Sequence, residues 1–132
     1  IVMDCIFCKI IAGEIPAEKI YEDDKCLAFL DIQPVNPGHA LLIPKKHYQM
    51  MPDAPDDLIV YLYVKAKDLM IKIKKAIRSD FVAVVVVGTG VPHFHIHLIP
   101  RYFSDGLADF WPAKDYKEGE MAEVAEKIRK KI

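Results

Sequence analysis

The chain has 132 residues, 52% hydrophobic and 28% charged, which excludes long disordered, collagen-like and small disulfide-rich proteins. Its 18 basic and 19 acidic residues give a net charge of −1, so no positive field favours a nucleic-acid partner. The longest apolar runs, 58–64 and 81–87, are far shorter than the roughly 18 residues of a membrane span. The N-terminus lacks the pattern of a secretion signal, so we expect one cytoplasmic domain over residues 1–132, without a nucleic-acid or membrane partner.

The first half of the chain predicts two helices and three strands. Apolar residues at helical spacing predict the helices, whereas apolar stretches bounded by proline, glycine or acidic residues predict the strands. Asp23-Asp24 marks the tight turn of a hairpin. The elements are a short helix over 6–12 that stops at Gly13, a hairpin of strands 19–22 and 26–32, a third strand over 39–43, and a long helix with apolar positions from Leu58 to Ile77.

The second half of the chain predicts two more strands and a closing helix. Residues 81–87 are almost all β-branched, which predicts a strand buried on both faces, or nearly so. After a turn at 88–90, residues 93–99 alternate histidine with apolar side chains, as a strand with two different faces does. The last helix is amphipathic and carries on one side Met121, Val124, Ile128 and Ile132.

The histidines of this alternating segment are the most informative feature of the sequence. Successive strand side chains point to opposite faces, so His93, His95 and His97 are expected to line one wall, about 6.6–6.8 Å apart. An exposed polar strand face or a surface metal trap is the alternative, but such faces normally recruit Thr, Lys and Glu. Because neutral imidazole is a nucleophile, a general base and a metal ligand near neutral pH, the triplet favours a functional site.

Cys5 and Cys8 form a CxxC pair that three interpretations fit. A structural zinc site needs four ligands, and His47 and His93 would complete it by tying the N-terminal helix to two parts of the sheet. A redox dithiol is disfavoured because no strand precedes the pair, and two unrelated buried thiols are the third interpretation. Cys26, inside an apolar strand, is interpreted as a core residue.

Several of these motifs occur together at fixed spacing. They are residues 5–16, 21–24, 37–47 and the histidine run 93–101. In this order they resemble the histidine-triad (HIT) family, in particular its Hint-like, zinc-binding branch. The resemblance covers a core over 4–101, followed by a tail and helix over 102–132.

The resemblance implies an α+β fold and a homodimer. The expected fold is an antiparallel sheet of about five strands with one long helix, a short N-terminal helix and a C-terminal helix, and the sheet pairs across the dimer. Trp111 and the apolar side of the last helix are candidate interface surface.

The resemblance also implies chemistry at the α-phosphate of nucleotides, as a purine nucleoside phosphoramidase or a dinucleoside polyphosphate hydrolase. His95 matches the nucleophile that forms a covalent nucleotidyl-histidine, and His97 matches the histidine that contacts the phosphate. Asp31 matches the acid that binds the ribose hydroxyls. The remaining nucleotide-binding positions are the apolar walls Ile6, Phe7 and Phe29, and Thr89 and Gly90 in a glycine turn that is shorter than in most of the family.

The cofactor implied by the resemblance is a structural zinc ion, with no organic cofactor. In zinc-carrying members of the family the ligands match Cys5, Cys8, His47 and His93. A protein of the same fold that binds or senses nucleotides, or a zinc-stabilised interaction protein, with little turnover in either case, is the alternative function.

Overall fold

The computed structural model describes residues 4–107 and 112–132, and Trp111 therefore lies outside the described residues. The elements are α1 (Ile6–Ile11), β1 (Lys19–Glu22), β2 (Cys26–Leu30), β3 (Ala40–Pro44), a 3₁₀ turn (Met51–Asp53), α2 (Asp56–Ile77), β4 (Phe81–Val85), β5 (Ile96–Arg101) and α3 (Glu120–Arg129). The strands form one 5-stranded antiparallel sheet in the order β1-β2-β3-β5-β4. The predicted α+β fold, with its long helix and two shorter ones, is confirmed.

The sheet is covered by α2 on one face and by α1 on the other. Along β2, Cys26 and Ala28 point to the α2 side, whereas Leu27 and Phe29 point to the α1 side. This alternation is the period of two that strands impose, and both faces are apolar because both are covered. Helix α2 contributes the buried residues Leu62, Ala66, Leu69 and Ile73.

Strand β4 departs from its prediction. It ends at Val85, and among its five residues Val82 is buried, Phe81 is exposed and the others are half-buried, so the predicted burial on both faces over 81–87 holds only in part. Val82 is buried because it faces α2, but Phe81 is 39% exposed and Val87 is 58% exposed. A run of β-branched residues predicts a strand, but it does not show how completely other elements cover the two faces of that strand.

The strand predicted over 93–99 starts later in the structure. Its first ladder residue is Ile96, and residues 93–95 run up to it without strand pairing. The alternation nevertheless holds, because Phe94, Ile96 and Leu98 all enter the core beneath α2.

The chain after β5 is fixed to the sheet by a buried ion pair. Arg101 Nε donates to Asp105 Oδ2 at 2.6 Å, and the two side chains are only 6% and 4% exposed. This guanidinium, with further donors that include the side-chain amide of Asn36, holds the pKa of Asp105 well below its usual range. Moving residues 102–107 away from the sheet would break this ion pair and leave an uncompensated buried charge, which is unfavourable. The folded body therefore extends past residue 101 to include residues 102–107.

Helix α3 has the predicted amphipathic pattern, but none of its residues is buried. Met121 is 62% exposed and Ile128 is 56% exposed, and Ile132 lies beyond the end of the helix. Within residues 4–107 and 112–132, no helix combines the length and apolar character needed to cross a bilayer.

Candidate active site and metal centre

A cavity of about 380 Å³ opens on the α1 side of the sheet. Helix α1, the end of β2, the start of β5 and the turn after β4 converge on it. Its lining includes every residue that the sequence placed at the catalytic and nucleotide-binding positions: Ile6, Phe7, Phe29, Asp31, Thr89, Gly90, His95 and His97. The sequence did not single out the other lining residues, which are Pro16, Ala17, Leu30, Ile32, Leu41, Val87 and Val91. All of these are apolar, and no local motif distinguishes them from core residues.

His95 is held in one tautomer by the main chain. The residue is 8% exposed, and its Nδ1 lies 2.7 Å from the carbonyl oxygen of His93. A carbonyl oxygen only accepts hydrogen bonds, so the proton of the neutral ring is on Nδ1 and Nε2 carries the lone pair. This is the protonation pattern that a nucleophilic imidazole needs.

His97 is oriented by a second histidine, His39, for which the sequence analysis assigned no role. The Nε2 of His39 lies 2.9 Å from the Nδ1 of His97. The main-chain N–H of Val35 donates to the Nδ1 of His39 at 3.0 Å, which puts the proton of neutral His39 on Nε2. His39 therefore donates to His97, and the proton of neutral His97 is on its own Nε2.

Burial keeps both of these imidazoles neutral. Burial, together with the neighbouring His95 and His39, lowers the pKa of His97 to about 4, against the opposing effect of Asp31. The pKa of His39 is also lowered by burial, against the opposing effect of Asp31, whose Oδ2 lies 3.8 Å from the His39 Nε2. At neutral pH, neutral His39 therefore donates a hydrogen bond to neutral His97.

The glycine turn that follows β4 forms another edge of the cavity. Gly88 and Gly90 have φ angles of +81° and +87°, a conformation that side chains rarely adopt. Thr89 and Gly90 line the cavity directly. Thr89 has the one polar side chain of this turn, and main-chain N–H groups in such turns form anion-binding concavities.

Four donor atoms converge next to the nucleophile, on Cys5, Cys8, His47 and His93. The Nδ1 of His93 lies 3.4 Å from Cys5 Sγ and 3.6 Å from Cys8 Sγ. The Nδ1 of His47 lies 3.4 Å from Cys8 Sγ and 3.1 Å from the Nδ1 of His93. Tetrahedral zinc, with bonds of about 2.3 Å to sulfur and about 2.0–2.1 Å to nitrogen, separates its ligand atoms by about 3.3–3.8 Å. The three sulfur–nitrogen separations fall in this range, the two imidazole nitrogens are slightly closer, and all four donor atoms lie within 4.8 Å of one another, so the four residues fit a zinc ion with a small adjustment.

His93 has the tautomer of a metal ligand and does not line the cavity. Its Nε2 donates to the carbonyl oxygen of Pro44 at 2.8 Å, which leaves the lone pair on Nδ1, facing the two sulfurs. The ring is 0% exposed, and burial lowers its pKa, which favours the neutral form that ligates metals. The expectation of three imidazoles along one wall is thus wrong for His93, because its ring lies among the metal-binding donors, the set to which the resemblance also assigned it.

A family profile and two relatives match the sequence of this chain over most of its length. The profile of the HIT domain family matches residues 12–104. The chain is 39% identical to Protein hit of Bacillus subtilis, over 98% of this chain and 94% of that protein. It is 37% identical to an adenosine 5′-monophosphoramidase of Saccharomyces cerevisiae, over 97% of this chain and 82% of the yeast protein.

Two solved structures also superpose on this chain over most of its length. The crystal structure of SMU.412c from Streptococcus mutans superposes with a TM-score of 0.87 at 33% identity, covering 99% of this chain and 87% of that one. A zinc-bound histidine triad protein from Mycobacterium smegmatis superposes with a TM-score of 0.76 at 29% identity, covering 96% of this chain and 97% of that one.

Proposed function

Because this chain belongs to the HIT domain family, we propose that it hydrolyses nucleotide conjugates at the α-phosphate through a covalent intermediate on His95. The observation that carries the proposal is the tautomer of His95, whose Nδ1 is committed to the His93 carbonyl while the ring lines an open cavity. The relative in Saccharomyces cerevisiae is named as an adenosine 5′-monophosphoramidase, which supports the substrate class. Purine nucleoside phosphoramidates and dinucleoside polyphosphates are the proposed substrates.

The cavity suits a nucleoside monophosphate group. Apolar walls that include Phe7 and Phe29 would stack against the base, and the ring centroids of these two residues are 5.4 Å apart. Asp31 accepts one main-chain N–H through Oδ1 and has a second oxygen for the ribose hydroxyls. The turn at Thr89 and Gly90 would receive the phosphate.

Two displacements at phosphorus complete the reaction. The lone pair of His95 Nε2 attacks the α-phosphorus in line, and the bond to the leaving group breaks with its electron pair on that group. Neutral His97 donates its Nε2–H toward the charge that develops in this step. Water then attacks the nucleotidyl-histidine, the P–N bond breaks, and the monophosphate departs. Overall, the hydroxyl of the water joins the phosphorus, the other proton of the water goes to the leaving group, and the electron pair of the broken P–N bond returns to His95 Nε2.

The test is capture of the intermediate. Brief incubation with a nucleotide conjugate labelled at the α-phosphate should leave label on the wild-type chain and none on His95→Ala, which should also lose turnover. His95→Ala should retain the far-UV circular dichroism of the wild type. Wild-type turnover by His95→Ala would contradict the assignment. A panel of conjugates, assayed by release of the monophosphate, would identify the leaving group.

A nucleotide-binding or sensing protein is the second candidate, because the apolar cavity and Asp31 would hold a nucleotide whether or not turnover follows. The turn at 88–90 has no amide side chain to contact the phosphate, which favours this candidate over a fast enzyme. Nucleotide binding by calorimetry without label on His95 and without release of the monophosphate would establish it. The same outcome would overturn the hydrolase proposal.

We also propose that Cys5, Cys8, His47 and His93 hold a structural zinc ion. The support is the fit of their spacing to tetrahedral coordination and the zinc-bound relative from Mycobacterium smegmatis. When bound, zinc would act as a structural cross-link between α1 and the segments before and after α2. Metal analysis should find about one zinc per chain, and Cys8→Ser should lose it.

A second copy of the chain is the proposed partner. Strand β4 ends the sheet with an apolar edge that carries no charged residue and no proline, the usual protections of an exposed edge. Helix α3 has 10 residues and none is buried. Isolated helices shorter than about 12–15 residues are marginal in water. The unprotected edge of β4 and the exposed helix α3 would both be stabilised by contact with another protein surface. A second copy of the chain, in a homodimer, would supply that surface.

A further inference from the structure

His93 belongs to both centres of the site. Its ring Nδ1 is one of the four converging donor atoms, and its main-chain carbonyl accepts the Nδ1–H of His95 at 2.7 Å. The atom that fixes the tautomer of the nucleophile is therefore part of a residue that the metal centre holds. Neighbours that fix the tautomer and orientation of a functional histidine commonly change activity by about 10–100-fold when removed.

Ladder pairing does not position this carbonyl, although the Phe94 N–H of the same peptide unit donates to the carbonyl oxygen of Tyr48 at 2.6 Å. Ladder pairing of β5 begins at Ile96 with β3 and at His97 with β4, so residues 93–95 lie outside it. The ring of His93 is held on one side by the carbonyl oxygen of Pro44, at 2.8 Å from Nε2. Its other nitrogen, Nδ1, faces the two cysteines and His47. A bound metal would fix the ring at both nitrogens and, with the ring, the carbonyl.

Helix α1 makes a second connection between the two centres. It has only 6 residues, and the two cysteines of the cluster are at its N-cap and in its first turn. Phe7 lies between these cysteines, and its ring packs edge-on against His93 at 5.9 Å and His95 at 5.3 Å between centroids. A helix this short has little stability of its own. Holding its two cysteines would therefore also hold the aromatic ring that packs against the nucleophile.

We propose that metal loading of the Cys5/Cys8/His47/His93 centre fixes His95 in its Nδ1–H tautomer and thereby sets the turnover rate, with His93 as the positioning residue. The rate part of this proposal rests on the hydrolase function proposed above, whereas the tautomer part does not. A purely structural metal would change the melting temperature and leave the tautomer of His95 as it is.

The experiment compares His47→Ala with His47→Cys. His47 is the ligand furthest from the nucleophile in the connections described above, and it does not line the cavity. Cysteine supplies a replacement thiolate ligand, whereas alanine supplies none. Cys26→Ala is the matched control, because it removes a buried thiol that lies in the core under α2, away from the cluster. The readouts are zinc content, the ¹⁵N side-chain spectrum of His95, and kcat and KM for a nucleoside phosphoramidate.

We expect one Nδ1–H tautomer of His95 in the zinc-loaded wild type, in His47→Cys and in Cys26→Ala. His47→Ala should lose zinc, show exchange between two tautomers, and lose about 10- to 100-fold in kcat. Chelator-treated and zinc-reloaded wild-type protein repeat the comparison without a substitution, in case His47→Ala does not fold. An unchanged His95 tautomer in folded, metal-free protein would overturn the proposal. A shifted tautomer in a protein that turns over no nucleotide would support the positioning role and reject the hydrolase function.

Discussion

At the scale of single residues, the two nitrogens of His97 have separate tasks. Its Nδ1 accepts from His39, which leaves its Nε2–H for the proposed contact with the phosphate. Asparagine places an oxygen near the Nδ1 position, whereas glutamine places an amide near the Nε2 position. We expect His97→Asn to lose about 10²–10⁴ in kcat, because it keeps the contact with His39 but removes the donor. His97→Gln should retain at least about tenfold more activity in steady-state assays. Equal losses in the two variants would contradict this division of tasks.

The depressed pKa of His97 makes the stability of the fold depend on pH. An unfolded chain protonates this histidine near its ordinary pKa of 6.5, whereas the folded chain does so only near about 4. Between these values the unfolded state binds more protons, so acidification destabilises the fold. The melting temperature should therefore fall as the pH drops from about 6.5 to about 4.

The matched control for this pH dependence is His97→Asn, which lacks the titrating ring. Calorimetric scans of both proteins over the same pH range cancel the contributions of groups that titrate alike in the two proteins. The advantage of the wild type over the variant should shrink toward acid. A constant difference between the two melting temperatures would mean that His97 is not held neutral by the fold.

At the scale of elements, the sequence predicted what depends on local periodicity. The apolar spacing of α2 and the turn at Asp23-Asp24 are properties of neighbouring residues, and both elements formed where they were expected. The role of His39 was missed because it depends on the register of β3 against β5. The pair Ala40 and Leu98 brings His39 next to His97, and such pairings between distant segments leave no pattern within either segment.

The candidate site likewise has features that the sequence predicted and features that it could not predict. The spacing of the histidine run predicted that His95 and His97 would reach one cavity, and they do. Strand periodicity alone put His93 on the same wall. Its place in the metal cluster came from the zinc interpretation of the CxxC pair and from the family resemblance, because the other three donors lie in distant segments. The edge position of β4 could not be predicted, because it depends on the whole sheet. An apolar run has the same sequence whether its edge pairs with another strand of the same chain or with a second copy of the chain.

The junction between the loop before β3 and α2 depends on a glycine. Gly38 has φ +96°, and a Cβ there would lie 2.6 Å from Ile77 Cδ1 and 3.3 Å from Pro100 Cγ. Gly38→Ala therefore combines a left-handed backbone cost of about 1–2 kcal/mol with overpacking of about 1–3 kcal/mol. Gly13→Ala, at φ +79° with nothing within 4 Å, carries the backbone cost alone. Urea unfolding should show the larger loss for Gly38→Ala, and equal losses would mean that the Ile77 side chain moves aside without cost.

At the scale of the whole molecule, the free edge of β4 has a definite hydrogen-bonding pattern. Pro100 has no N–H, and its carbonyl oxygen accepts from Asn36 on the β3 side of β5. The pair Val82 and Pro100 therefore exchanges no hydrogen bonds, and neither does the equivalent pair Val84 and Leu98. The main-chain N–H groups of Val82 and Val84 consequently point outward, along the edge that a second copy would occupy.

This pattern allows the proposed dimer to be broken without damage to the sheet. Val84→Pro removes an outward N–H, and proline is tolerated on an edge strand whose N–H faces solvent. The wild-type chain of 15.0 kDa should sediment as a dimer, and Val84→Pro should sediment as a folded monomer by circular dichroism. Val84→Thr keeps the N–H and the branched shape, so it should remain dimeric. A monomeric wild type, or a dimer that survives Val84→Pro, would show that β4 does not join the two copies.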